Sequence, residues 1–168
     1  MSQPIRVVFV CLGNICRSPL GEGIFRHLVE EAGFAHQFVI DSAGTSAYHA
    51  GEAPDPGSIR VARNKGIDIT AQRSRQFKRD ELDRWEYIVA MDPANRRNIL
   101  RLVDNDPEPL RGKLWLMRNF EHEEDGSGHD EGVPDPWGGG PRGFEDVYAI
   151  VERSCVNLLK SIRQARGL

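Results

Sequence analysis

The apolar positions along this chain change period from element to element. Val7-Val8-Phe9-Val10 is an unbroken apolar run, the pattern of a strand buried on both faces of a parallel sheet, so residues 5–10 read as a strand. Leu20, Ile24, Phe25 and Leu28 then recur at helical spacing. Ser18 as N-cap, Pro19 as first helical residue and Gly33 as terminator frame a helix over 18–33. Phe38-Val39-Ile40 reads as a second strand, running into the small-residue loop Asp41-Ser42-Ala43-Gly44-Thr45. Asp55-Pro56 opens a helix to about Lys65, closed by Gly66, and Asp80 to Arg84 reads as one helical turn. Residues 87–91 form the third strand, Asp92-Pro93 caps a helix over 93–103, and Leu114-Trp115-Leu116 is the fourth strand. From Phe144 to Arg166, Val147, Ile150, Val151, Cys155, Leu158, Leu159 and Ile162 share one helical face. This alternation predicts an α/β fold, with residues 1–168 as a single domain, four parallel strands and helices on both faces.

Composition narrows the functional classes. The 168 residues carry a net charge of −3, with 39% hydrophobic and 28% charged positions. That balance suits a soluble globular protein and offers no field for nucleic acid or an anionic membrane. No segment approaches the roughly 20 apolar residues of a membrane span, and the N-terminal apolar run is short for a secretory signal. Three cysteines, Cys11, Cys16 and Cys155, are too few for a disulfide framework and point to a reducing compartment, the cytoplasm.

The chemistry concentrates between the first strand and the first helix. Cys11-Leu12-Gly13-Asn14-Ile15-Cys16-Arg17-Ser18 turns backbone N–H groups toward the space above the strand end. A helix N-terminus adds partial positive charge there. Gly13 and Asn14 tolerate the unusual backbone angles such a nest needs. Amide donors, a helix terminus and a guanidinium favour thiolate over thiol, and Arg17 can grip two phosphate oxygens with its planar fork. The arrangement fits attack of Cys11 on phosphorus inside a cradle supplied by Leu12, Gly13, Asn14, Ile15, Cys16 and Ser18. A buried core cysteine is the bland alternative for Cys11, and it weakens once Gly, Asn, Arg and Ser-Pro stand at these offsets.

A second motif supplies a proton. Val133-Pro134-Asp135-Pro136-Trp137 holds a carboxyl between two prolines that restrict its backbone. Asp135 can protonate a leaving oxygen and then take a proton from water. P-D-P alone is a common turn, and its weight comes from the upstream Cys11 and Arg17. Trp137 offers a flat wall to a substrate ring.

Together these stretches resemble the low-molecular-weight protein tyrosine phosphatases. Val8-Phe9-Val10-Cys11-Leu12-Gly13-Asn14-Ile15-Cys16-Arg17-Ser18-Pro19 looks like that family's signature, and later segments extend the likeness over nearly the whole chain. The resemblance implies strand order 2-1-3-4. It also implies hydrolysis of protein phosphotyrosine through a phospho-Cys11 intermediate, without cofactor or metal. Tyrosine-phosphorylated proteins would be substrates, and phosphate or other oxyanions inhibitors. Ser42, which as a residue is equally a turn serine, matches the family's S-A-G-T and would bond the loop from the side. Asp92, on its own a helix cap, matches M-D-x-x-N and would organise loops beside the phosphate. Tyr48 falls where family members place an aromatic on the cleft rim, and the polar segment 69–79 would flank the cleft. Gly138 departs from the family's second aromatic, which leaves one side of the cleft without a ring.

Other readings stay in view. Arsenate reduction on the same fold needs more thiols than this chain supplies. A phosphoarginine phosphatase typically has Thr where Ile15 stands, and a binding module without turnover has no need of Asp135. Cys16 is either a small packing residue or a partner that captures oxidised Cys11 as a disulfide, a use the resemblance favours. His49 reads as a solvated loop residue. His122 and His129, in the acidic stretch 121–131, lack ligand spacing and read as part of a solvated loop.

Overall fold

A computed structural model describes residues 3–121 and 131–168. Four parallel strands form its sheet: β1 (Ile5–Cys11), β2 (Phe38–Gly44), β3 (Tyr87–Ala90) and β4 (Leu114–Leu116), in the order β2-β1-β3-β4. The helices are α1 (Arg17–Glu31), α2 (Pro56–Arg63), α3 (Pro93–Leu100) and α4 (Pro141–Arg166). The chain is therefore α/β with the expected strand order.

The unbroken apolar run of β1 has a direct cause. Its alternate residues feed two cores. Val7 and Phe9 join a cluster with Leu20, Phe25, Val151 and Leu158, from α1 and α4, while Val8 and Val10 join Leu82, Trp85, Ile99 and Leu116 on the opposite face. Period-two alternation is absent because neither face meets water.

Order 2-1-3-4 places the site. After β1 the chain steps to one side to lay β2, then crosses back to lay β3 on the other. The crevice outside the carboxyl ends of β1 and β3 is thus a topological switch point, where open α/β sheets bind ligands. Cys11 ends β1, and Asp92 follows β3.

Several boundaries differ from the sequence reading. β2 runs to Gly44, so Asp41-Ser42-Ala43-Gly44 is strand and not loop, paired in register from Val8↔Asp41 to Cys11↔Gly44. Small polar residues carry little strand propensity of their own; the pairing with β1 decides the conformation. Ser18 is not the N-cap of α1. The cap is Cys16, with no side-chain cap bond, and Ser18 lies inside the first turn with its hydroxyl engaged elsewhere. α1 ends at Glu31, and Gly33 (φ 81°) makes the turn beyond it. α4 begins at Pro141, earlier than its apolar stripe, because proline suits the first helical turn. Asp55 and Asp92 do cap their helices, accepting from Gly57 N–H at 2.8 Å and Asn95 N–H at 2.7 Å.

One close approach locks β2 to the loop after β1. A Cβ on Gly44 would lie 2.6 Å from the Leu12 carbonyl oxygen and 3.1 Å from the Asn14 nitrogen. Both neighbours are backbone, so the loop itself would have to move. Gly44→Ala is expected to cost about 1–3 kcal/mol of stability and to lower kcat/KM, read by urea denaturation and steady-state kinetics. A variant with unchanged stability and rate would show that the loop tolerates displacement.

Candidate active site

The loop between β1 and α1 is held from outside by its carbonyls. Cys11 O accepts from Thr45 N–H at 2.8 Å, and Leu12 O from Ser46 N–H at 2.9 Å. Gly13 O accepts from the Ser74 hydroxyl at 2.9 Å, Ile15 O from Asp55 N–H at 2.8 Å, and Cys16 O from the Ser58 hydroxyl at 3.0 Å. In a trans peptide the C=O of one residue and the N–H of the next point opposite ways, and the described residues contain no cis bond. Five outward carbonyls therefore turn the N–H groups of Leu12, Gly13, Asn14, Cys16 and Arg17 toward the loop's centre. Cys11 sits there, 3% exposed, with Asn14 N–H donating to its Sγ at 3.2 Å and Ser18 Oγ 3.0 Å from it.

Asn14 holds this curvature. Its φ is 56°, in the left-handed region where Asn is tolerated. Its Nδ2 donates to Ser18 Oγ at 2.7 Å and to Ser42 Oγ at 3.0 Å, while its Oδ1 accepts from Arg75 N–H at 3.0 Å. Ser42 donates in turn to buried Glu22 at 2.8 Å. Burial pushes the Glu22 carboxyl above the ordinary range, against the hydrogen bonds from Arg26 and Ser42. Arg75 is fixed by Asp41 at 3.0 Å and by a two-pronged contact with Glu81 at 2.9 Å.

Arg17 is equally buried, and its orientation comes from a distant strand end. Its Nη1 donates to Asp92 Oδ2 at 2.6 Å and to Val133 O at 3.0 Å, and its Nη2 lies 3.8 Å from Asp135 Oδ2. Burial opposes its charge, but Cys11, the Asp92 hydrogen bond and the carboxylates of Asp92 and Asp135 more than offset that and raise its pKa further. Asp92 thus serves helix α3 with one oxygen and Arg17 with the other.

Above this floor lies a cavity of about 410 Å³. Asp135 and Trp137 line it, with the Asp135 carboxylate accepting from Trp137 N–H at 3.1 Å. Leu12, Tyr48 and His49 line it too, and Tyr48 and Trp137 are its exposed residues, at 85% and 62%. Cys16 borders the same cavity as a free, buried thiol, its pKa pushed well up by burial and then by the charges of Asp55, Cys11 and Asp135.

Thus Cys11, Arg17 and Asp135 converge on one cleft, with Ser18, Ser42 and Asp92 around its floor. Sequence reasoning missed several supports. His49 is no solvated bystander: its ring packs on Gly13, where a Cβ would sit 2.9 Å from His49 Cδ2, stacks edge-on against Tyr48 and pairs with Glu52. Glu22 was unmarked and Arg75 read only as part of the polar segment 69–79, since a charged residue in a helix or loop reads as solvated until its burial is known. His122 and His129 lie outside the described residues.

The family model for low molecular weight phosphotyrosine protein phosphatases matches residues 6–167. The chain belongs to that family. A low molecular weight phosphotyrosine protein phosphatase of Schizosaccharomyces pombe is 41% identical, over 96% of this chain and 99% of its own. A low molecular weight protein-tyrosine-phosphatase of Streptomyces coelicolor is 38% identical, over 95% and 94%. The crystal structure of YfkJ from Bacillus subtilis superposes with a TM-score of 0.86 at 32% identity, covering 98% of each chain. The family's enzymes are phosphoric monoester hydrolases.

Proposed function

We propose that this protein hydrolyses phosphotyrosine on proteins through a covalent phospho-Cys11 intermediate. The observation that carries the reading is the ring of inward amides around Cys11, with Arg17 beside it and Asp135 across the cleft. The Cys11 thiolate attacks phosphorus as the bond to the phenolic oxygen breaks, and the departing oxygen takes the proton of the Asp135 carboxyl. The Asp135 carboxylate then removes a proton from water, whose oxygen attacks phosphorus. The P–S bond breaks, releasing inorganic phosphate and restoring the thiolate. Inward N–H groups of Leu12, Gly13, Asn14, Cys16 and Arg17, with the Arg17 guanidinium, stabilise the equatorial oxygens. A loop built of amides and a guanidinium accepts phosphate and related oxyanions as inhibitors by the same contacts.

Substrate choice follows from depth. The thiol lies at the cavity floor and Tyr48 and Trp137 stand at its mouth, so a flat phenyl linker spans the distance that a serine side chain does not. No helix among the described residues is long and apolar enough to cross a membrane, and unpaired Cys11, Cys16 and Cys155 suit the reducing cytoplasm. In the same reading Cys16 captures a Cys11 sulfenic acid formed by peroxide, giving a disulfide and water.

The general acid is tested by leaving group. Asp135→Asn is expected to lower kcat/KM by about 10²–10⁴-fold on phenyl phosphate and a phosphotyrosine peptide, and much less on p-nitrophenyl phosphate, whose phenolate leaves unaided; kcat, which includes the shared hydrolysis of phospho-Cys11, falls on all of them. Equal losses in kcat/KM on both substrates would make Asp135 structural. A parallel panel of phosphoserine, phosphoarginine and arsenate separates the reading from its rivals, since turnover of any of these in preference to phosphotyrosine would overturn it.

A further inference from the structure

The segment bearing Asp135 is moored by two arginines on successive carbonyls. Arg17 holds Val133 O at 3.0 Å, and Arg118 Nη1 holds Gly132 O at 3.0 Å. Val133 N–H donates to Met91 O at 2.8 Å, and Gly132 lies so close to Asp92 that a Cβ there would meet Asp92 Cβ at 2.6 Å. The peptide entering the acid motif is thus pressed against the end of β3, and Arg118 supplies the outer contact.

Arg118 is itself held rigidly. It lies in the short 3₁₀ turn Met117–Phe120 after β4, with its side chain 17% exposed. Its Nε donates to Glu121 Oε2 at 2.6 Å, and Nη1 lies 3.5 Å from Glu131 Oε2. Glu121, whose side chain is 3% exposed, accepts from Arg153 of α4 at 2.9 Å through its other oxygen, and its backbone carbonyl accepts from Asn157 at 3.2 Å. Burial works against the Glu121 charge, but the hydrogen bonds from Arg118 and Arg153 outweigh it and hold the carboxyl below the ordinary range. An ion pair so deeply placed is a poor source of stability and a good source of geometry. A planar guanidinium can serve Glu121 and the Gly132 carbonyl at once, which an ammonium cannot do with the same rigidity.

We propose that Arg118 is a positioning residue for proton donation: through Gly132 O, with Glu121 as its anchor on α4, it sets where Asp135 meets the leaving oxygen. It touches no substrate. This inference rests on Asp135 being the general acid. A purely structural arginine would lower kcat/KM on all substrates alike or lower stability, whereas a positioning one lowers kcat/KM mainly where the leaving oxygen needs the proton.

The test is the ratio of kcat/KM on p-nitrophenyl phosphate to kcat/KM on phenyl phosphate. In Arg118→Met the ratio is expected to rise roughly 10- to 100-fold, since misplacing a reacting group by about an ångström costs that much. Arg118→Lys, which keeps the charge if the methionine variant folds poorly, is expected to show a smaller rise in the same direction. In an Asp135→Asn background Arg118→Met should change the ratio no further, because the two act through one step. An unchanged ratio in both single variants, or a further rise in the double variant, overturns the proposal. If Asp135→Asn itself leaves the ratio unchanged, the acid assignment falls and this inference with it. If only the Arg118 variants fail, the acid assignment stands.

Discussion

Cys11→Ser is expected to abolish turnover, by roughly 10⁴-fold or more on any aryl phosphate, while inorganic phosphate still binds by calorimetry. The reason lies in what converges on the sulfur. Asn14 N–H at 3.2 Å and Ser18 Oγ at 3.0 Å are placed to bond a thiolate, and the amides and guanidinium around it offer positive partial charge to an incoming oxyanion. A serine hydroxyl in the same place keeps its proton at neutral pH: the groups bonded to the sulfur, Asn14 N–H and Ser18 Oγ, are not bases, and Asp135 is paired with Arg17 at 3.8 Å. The cradle survives the substitution, so binding and chemistry separate cleanly. A variant retaining more than about 1% of the wild-type rate, where a lost nucleophile typically costs several orders of magnitude, would remove Cys11 from the mechanism. Loss of phosphate binding would show instead that the sulfur holds the loop together.

Arg17→Lys is the second large effect expected, a fall in kcat/KM of at least about 10²–10³-fold. The charge remains, but the fork is lost. Arg17 is 3% exposed and spends Nη1 on both Asp92 Oδ2 at 2.6 Å and Val133 O at 3.0 Å. That leaves Nη2, 3.8 Å from Asp135 Oδ2, to meet phosphate in a fixed plane. A lysine ammonium can pair with Asp92 or meet the phosphate, not both with this geometry. The acid loop also loses its Val133 contact, so the loss should appear in both KM and kcat. Asp92→Asn, which keeps the α3 cap acceptor but removes the charge facing Arg17, is expected to reproduce a milder form of the same defect. Near-normal kinetics in Arg17→Lys would mean that the planar contact plays no part in binding or transition-state stabilisation.

The two expectations bracket what could be read from the chain alone. Cys11, Arg17 and the helix that follows were legible because they lie within one strand–loop–helix unit, where spacing dictates geometry. Asp55-Pro56 and Asp92-Pro93 were legible for the same reason, a cap being a bond between residues two or three apart. The two-faced burial of β1 was legible because covering both faces leaves an unbroken apolar run. Local rules failed where another partner outbid them. Ser18 has the composition of an N-cap, yet Asn14 and Cys11 claim its hydroxyl and the helix starts earlier. Asp41 to Gly44 has the composition of a loop, yet β1 draws it into the sheet.

Residue types and short-range spacing thus determined the candidate nucleophile loop, the alternation of strands and helices along the chain and, with Cys11 and Arg17 upstream, the candidate acid. Only the tertiary structure decided which charges are buried and what they hold: Glu22 behind Ser42, Asp92 on Arg17, Arg75 beneath Asn14, His49 against Gly13, and Arg118 on Gly132. The physical reason is that a charged side chain carries no mark of its partner. Its role depends on desolvation and on which acceptors the fold brings within about 3 Å, and both arise only when segments far apart in sequence pack together.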